Sequence, residues 1–149
     1  MEHSPTSTNR LALSATVHCL TGCAIGEILG LVIATQLGWH DIPSIVLAIV
    51  LAFLFGYSLT LRPLLASGVS LGNAARLAFA ADTLSITIME IVDNAIVVTI
   101  PGAMAAQLTD PLFWGSLALS LAVAGLAAFP VNRWLIERGQ GHAVIHGHH

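Results

Sequence analysis

Four long runs of apolar residues divide the chain, at about residues 11–38, 42–61, 76–101 and 112–136. Clusters of turn-forming residues separate them, at residues 38–43, 62–73 and 101–111. Each run is long enough to cross a hydrocarbon core of about 30 Å as a helix. Because the runs are too long and too continuous for barrel strands, we predict an all-α integral membrane four-helix bundle. This single domain covers residues 11–138, between an N-terminal tail of residues 1–10 and a C-terminal tail of residues 139–149.

The composition narrows the class of protein further. The 149 residues are 56% hydrophobic and 9% charged, whereas a soluble domain averages roughly 25% charged residues. This excludes a soluble globular domain, a disordered chain and a disulfide scaffold. The five basic residues are all arginines and the formal net charge is -3, so the chain has no basic surface to hold nucleic acid. The expected partner is the lipid bilayer.

The arginines predict the orientation of the bundle. Arg10 precedes the first run, Arg62 and Arg76 flank the second connection, Arg133 lies near the end of the fourth run and Arg138 follows it. All five therefore lie on one side of the predicted membrane. By the positive-inside rule this side is cytoplasmic, which predicts an N-in/C-in protein. We expect a multi-pass protein of the bacterial plasma (inner) membrane.

Ionisable residues inside the apolar runs are the candidates for function, because an intramembrane charge costs about 2.5–3.5 kcal/mol on insertion scales. These residues, with the sulfur-containing residues beside them, are His18, Cys19, Cys23 and Glu27 in the first run and Asp82, Met89, Glu90 and Asp93 in the third. The second run carries no charged residue, and the fourth carries only Arg133, near its end. Any intramembrane site is therefore expected between the first and third helices.

Helical periodicity places Cys19, Cys23 and Glu27 on one stripe of the first helix. Three glycines at four-residue spacing, from Gly22 onward, lie beside this stripe and allow close approach of another helix. The polar stripe is therefore expected to face a neighbouring helix and not lipid. His18 lies about half a turn from Glu27, so the two share a compact site only if the helix is distorted.

The third helix is predicted to be amphipathic within the membrane. Asp82, Glu90 and Asp93 share one side of it, and no Arg or Lys lies nearby. Three carboxylates on one dry face cannot all stay ionised, so either some are protonated or a cation lies among them. If the hydrocarbon begins near Ala15 and Leu77, Glu27 and Glu90 both lie about 18–20 Å deep. The same estimate places Cys19 and Asp82 together in a shallower layer.

The available ligands are of mixed character. Thiolate, thioether and imidazole groups suit Cu(I), while carboxylates suit harder divalent ions. Copper or zinc is therefore the candidate metal, and no organic cofactor is indicated. Two free membrane thiols are also common as small packing residues. The C-terminal tail contains a His-rich tract, with His142, His146, His148 and His149. Such a tract is typical of metal binding. The alternatives are a solvated tail without a ligand or a remnant of an expression tag.

Three segments and the His-rich end carry a resemblance to a known family. The segments are HCLTGCAIGE at residues 18–27, MEIVDNA at residues 89–95 with Pro101-Gly102 after it, and NRWLI at residues 132–136. In these segments the chain resembles small bacterial four-helix membrane proteins classified as a domain of unknown function and associated with copper-handling contexts. The resemblance implies a four-helix membrane protein and transfers no activity.

Three functions stay open from the sequence. The first is a metal-ion binding or transport protein with Glu27, Glu90 and Asp93 as its central site. The second is a proton or monovalent-cation pathway through the same acids, and the third is a structural or assembly subunit of a larger membrane complex. A membrane di-metal oxidase would use Glu-x-x-His pairs, and Glu90 has Asp93 in place of that His, so no enzyme is predicted. A homo-oligomer or a partner membrane subunit is expected.

Overall fold

A computed structural model describes residues 5–138 of the chain. In this range there are four long helices and no strand: α1 (Pro5–Leu37), α2 (Asp41–Ala66), α3 (Leu71–Thr99) and α4 (Pro111–Glu137). A short 3-10 helix (Ala103–Ala105) lies in the connection between α3 and α4. The predicted all-α four-helix architecture is confirmed.

The first two helices end at glycines with a left-handed backbone. Gly38 has φ of +67° and Gly68 has φ of +92°, a conformation that a side chain disfavours. After Gly38, the amide of Trp39 donates to the carbonyl oxygen of Ala34 at 2.9 Å and so caps the end of α1. α2 therefore continues through Pro63 to the residue before this second turn, about one helical turn beyond the predicted boundary.

The four helices surround a common centre in chain order. α1 packs against α2 on one side and α4 on the other, and α3 packs against the same two helices. α1 and α3 are parallel in this up-and-down arrangement, and they also contact each other across the centre of the bundle. The polar stripes that the sequence predicts on α1 and α3 are thus brought face to face.

A seam of small residues joins α1 to α2. Each glycine of α1 meets a small residue of α2, in the pairs Gly22 with Gly56, Gly26 with Ala52 and Gly30 with Ala48. A Cβ at Gly26 would lie 2.5 Å from the backbone nitrogen of Ala52, closer than real side chains come. The expectation that the glycines of α1 allow close helix approach is confirmed, and α2 is the helix that they contact.

The outer surface of the bundle is apolar, as a membrane protein requires. Three helices are long and apolar enough to cross a membrane. They are α1, over residues Thr8–Leu37, and the whole of α2 and α4. α3 carries three acidic residues and is outside that group. It is nevertheless 29 residues long, and Leu84, Ile91 and Val98 are exposed on its outer face. Its acids point inward instead, so its surface matches that of the other helices.

Candidate functional site: an acid–thiol ladder and a cavity

Six side chains on α1 and α3 face each other across the centre of the bundle. We call this set the acid–thiol ladder. It comprises Cys19, Cys23 and Glu27 on α1 and Asp82, Glu90 and Asp93 on α3. All are buried except Glu27, which is partly buried. The helical periodicity read from the sequence therefore identified the inward face of both helices.

The layer nearest the arginine-bearing end of the helices joins Cys19 to Asp82. The Cys19 thiol donates to Oδ1 of Asp82 at 3.8 Å, and both residues are fully buried. The side chain of Ser85 lies beside the same thiol and is also fully buried. The expectation that Cys19 and Asp82 share a layer is confirmed.

The middle layer joins Cys23 to Glu90. The thiol of Cys23 and the carboxyl group of Glu90 are neighbours that interact directly. The amide nitrogen of Asn94 donates to Oε2 of Glu90 at 3.3 Å and to the Glu90 backbone carbonyl at 2.8 Å. Oε1 of Glu90 has no hydrogen-bond partner among the residues that the structure describes. One oxygen of this acid is thus held in place, and the other is available.

The third layer joins Glu27 to Asp93. Their carboxyl groups interact directly, and Glu90 also interacts with Glu27, less strongly than Asp93 does. The sequence-based depth estimate instead placed Glu27 level with Glu90. The difference is about one helical turn. It arises because the sequence does not define the residue at which each helix enters the hydrocarbon. Glu90 remains within reach of both neighbours through its position between Cys23 and Asp93.

A cavity of about 480 Å³ extends from the third layer to the connections at residues 38–41 and 103–107. We call it the acidic cavity. Glu27 and Asp93 lie at its deep end and Asp41 near its mouth. Oε1 of Glu27 and Oδ1 of Asp93 have no hydrogen-bond partner within residues 5–138. The cavity thus connects the last layer of the ladder with one end of the bundle.

Met89 and His18 lie in different surroundings. Met89 is fully buried in the same apolar cluster as Cys19 and Cys23, so the three sulfur atoms belong to one region of the core. His18 is partly buried, and its Nε2 lies 2.9 Å from the Thr60 hydroxyl on α2. His18 therefore faces α2 and is not brought to the deep end of the acidic cavity. This agrees with its position on the helix, half a turn from Glu27.

Most of the predicted metal ligands lie in the described part of the chain. Within residues 5–138, no three His, Cys, Asp or Glu side chains converge closely enough to hold a metal ion. The ladder is built from pairs of side chains and not from one compact cluster. The histidines of the tail, His142, His146, His148 and His149, lie outside the described residues.

Two buried polar residues of the bundle were missed by sequence reasoning. The amide nitrogen of Asn132 on α4 donates to the Thr16 hydroxyl at 3.0 Å, and that hydroxyl donates to the Ala12 carbonyl at 2.7 Å. Asn132 is 0% exposed and Thr16 is 4% exposed. Thr16 is one turn from Cys19 on the same stripe of α1, so helical periodicity could have found it. These two residues continue the polar interior beyond Asp82 toward the arginine-bearing end.

Comparison with known proteins identifies the family. Residues 8–141 match the model of the family described as Domain of unknown function (DUF4396). Because the match covers nearly the whole chain, the chain belongs to this family, which confirms the predicted membership. No curated protein and no solved structure shows significant similarity to the chain.

Proposed function

We propose that this member of the DUF4396 family carries a cation through the membrane. The cation is a proton, and the acid–thiol ladder holds it. The contact between Glu27 and Asp93 carries the proposal. All five arginines of the chain lie near the other end of the bundle, and there is no lysine. Two adjacent carboxyl groups with no basic partner stay together only if they share a proton or bind another cation.

The arrangement of the ladder supports passage along the bundle axis. Successive ladder residues on α1 are four positions apart, which is about 6 Å per layer. Free oxygen atoms occur at two layers, on Glu90 and Asp93, and the hydroxyl of Ser85 is likewise without a hydrogen-bond partner among the described residues. Each can accept a hydrogen bond from a water molecule or from a neighbouring acid. The acidic cavity supplies the entrance at one end.

A second candidate is a pathway for a soft metal ion such as Cu(I). The observation that favours it is the shared burial of Cys19, Cys23 and Met89 in one cluster. Thiolate and thioether sulfur are the ligands that Cu(I) prefers. In this version the sulfur atoms bind the ion, the acids balance its charge, and the His-rich tail exchanges it with the cytoplasm.

The experiment that tests the proposal measures proton flux into proteoliposomes. A pH-sensitive dye is enclosed with the purified protein, and a potassium gradient with valinomycin drives proton entry. Glu27→Gln keeps the size and hydrogen-bonding capacity of the side chain and removes its ability to ionise. We expect it to lower the flux at least tenfold. The matched control is Glu137→Gln, an exposed acid paired with Arg133 at the other end of the bundle, and it should leave the flux unchanged.

The two candidates give different results in a parallel measurement of bound metal. If the pathway serves a soft metal, purified protein should contain copper or zinc near one per chain, and Cys19→Ser with Cys23→Ser should remove it. If Glu27→Gln retains full proton flux and the double Cys variant retains full metal content, both candidates are wrong. The ladder would then serve helix packing, as expected of a structural subunit.

A further inference from the structure

We propose that the acidic cavity is a binding site for a small organic cation, such as an amine or quaternary ammonium compound with an apolar body. Its positive charge lies against Glu27 and Asp93, and its apolar part covers the cavity wall. The inference rests on the proposed function, since the ligand takes the place at which the ladder otherwise holds a proton.

The deep end of the cavity lacks a basic partner for its acids among the described residues. Asp93 is 1% exposed and lines the cavity, yet its Oδ1 has no hydrogen-bond partner within the described part of the chain. Oε1 of Glu27, also on the cavity wall, is in the same condition. A buried carboxylate oxygen without a partner is unfavourable, so a bound group that supplies positive charge would stabilise this arrangement.

The charge of the cavity selects a cation. Three carboxyl groups line it, those of Glu27, Asp41 and Asp93, and none of the described residues that line it is Arg, Lys or His. The Asn94 amide, which could otherwise donate a hydrogen bond to one of them, donates to Glu90 instead. A cleft lined by one sign of charge with apolar walls concentrates ligands of the opposite sign.

The size and the wall of the cavity favour an organic cation over a bare metal ion. A volume of about 480 Å³ lies within the range of sites for small organic ligands. A metal ion would leave most of it to water, roughly 15 molecules at 30 Å³ each. Much of the wall is apolar, with Leu31, Ile45, Val97 and Phe113 among its residues. Such a wall is a poor surface for water and a good one for hydrocarbon groups.

Trp39 adds an aromatic surface at the mouth. It lines the cavity and is 46% exposed, so its ring is accessible. Aromatic rings attract ammonium groups through their electron-rich faces. An organic cation entering from this end therefore passes an aromatic surface before it reaches the acids. Its charge displaces the shared proton, which leaves to water or along the ladder, so the net charge of the site is conserved.

The test is calorimetric titration of the full-length protein in detergent with phenyltrimethylammonium. We expect saturable binding with one site per chain and release of a proton in weakly buffered solution. Glu27→Gln and Asp93→Asn should each weaken binding at least tenfold. Ile45→Trp leaves the acids intact and fills the cavity, so it should also weaken binding. The control variant Glu137→Gln should bind like the unaltered protein. Helix content by circular dichroism identifies any variant that does not fold.

The outcomes separate this inference from the proposed function. The inference would be overturned if the folded protein did not bind phenyltrimethylammonium. It would also be overturned if the Asp93→Asn and Ile45→Trp variants bound phenyltrimethylammonium as tightly as the unaltered protein does. Proton flux in proteoliposomes that depends on Glu27 would still support the pathway. Conversely, binding that depends on Asp93 without any proton flux would support the site and contradict the pathway. Tighter binding of K⁺ or Zn²⁺ than of phenyltrimethylammonium would identify an inorganic-ion site and also overturn the inference.

Discussion

Glu27 of α1 and Asp93 of α3 interact at the deep end of the acidic cavity, and neither has a basic partner at that depth. The pair joins helices that are diagonal in the bundle and that contact each other less extensively than neighbouring helices do. Such a contact between like groups does not serve stability by itself, because two ionised carboxylates would repel each other. A shared proton or a bound cation turns the repulsion into an attraction.

The first prediction concerns the stability of this pair. Glu27→Gln and Asp93→Asn each replace one acid with an amide that can still donate to the other. Each single variant should therefore be about as stable as the unaltered protein, or slightly more stable, because the amide removes the repulsion between two carboxylates. The double variant should deviate from additivity by about 0.5–3 kcal/mol, as contacting residues do. Unfolding in increasing sodium dodecyl sulfate, followed by circular dichroism, measures these differences. Strict additivity would mean that the two carboxyl groups do not interact.

A second prediction concerns the seam between α1 and α2. Gly26→Ala places a Cβ 2.5 Å from the backbone nitrogen of Ala52, so the two helices must separate. We expect a loss of about 1–3 kcal/mol in the free energy of unfolding. Gly115→Ala in α4 is the matched control, because a Cβ there meets no atom within 4 Å. It should be neutral or stabilise by up to about 1 kcal/mol through helix propensity. Equal effects of the two substitutions would contradict the close packing described for Gly26.

The third prediction tests the orientation that the arginines indicate. Single cysteines are introduced into a variant in which Cys19 and Cys23 are replaced by Ala. Cysteines at His40 or Asp110 should react with a membrane-impermeant thiol reagent added outside intact cells. Those at Ser67 or Gln140 should react only after the cells are opened. The reverse pattern would show that the acidic cavity opens to the cytoplasm.

Much of the fold follows from local sequence pattern. The four apolar runs became four helices, and the connection at Gly38 falls where its left-handed backbone ends α1. The face of α1 that bears Cys19 and Glu27 was predictable because residues four apart share a side of a helix. The extension of α2 past Pro63 was not, because a proline near a helix end is compatible with either a break or a last turn.

The site was less predictable, because it depends on the relative heights of two helices that the sequence does not fix. Glu27 interacts more strongly with Asp93 than with Glu90, and Asp93 lies about one turn of helix beyond Glu90, the residue expected at the level of Glu27. The same holds for the bond between Asn132 and Thr16, whose residues are 116 positions apart. Helical periodicity predicts only which residues a few positions apart share a face, so it cannot predict a contact between residues so far apart in the chain. The acidic cavity likewise arises from the connection at residues 103–107, whose course the sequence pattern leaves open.

The fourth prediction concerns the C-terminal tail. If residues 139–149 only bind or exchange ions, their deletion should leave the thermal stability of the bundle unchanged, since few apolar residues there could join its core. Helix content and melting temperature in detergent provide the measurement. A tail that docks on the bundle would reveal itself by a lowered melting temperature, which would assign its histidines a structural role.

The last prediction uses two threonines of α1 that differ in one contact. The Thr16 hydroxyl donates to the Ala12 carbonyl at 2.7 Å, and the Thr21 hydroxyl donates to the Val17 carbonyl at 2.8 Å. Thr21 is exposed, whereas Thr16 is buried and also accepts from the amide of Asn132. Valine has nearly the same shape as threonine, so either substitution removes the hydroxyl with little change in packing.

Thr16→Val leaves the buried amide of Asn132 without its acceptor, and it should therefore lower the free energy of unfolding by about 1–3 kcal/mol. Thr21→Val loses only a bond to its own helix, so its effect should stay within about 0.5 kcal/mol. Adding Asn132→Leu to Thr16→Val should recover part of the loss, because the unpaired amide of Asn132 is then removed. Equal effects of the two threonine substitutions in denaturation by sodium dodecyl sulfate would show that Asn132 does not depend on Thr16. The polar interior would then end at the layer of Cys19 and Asp82.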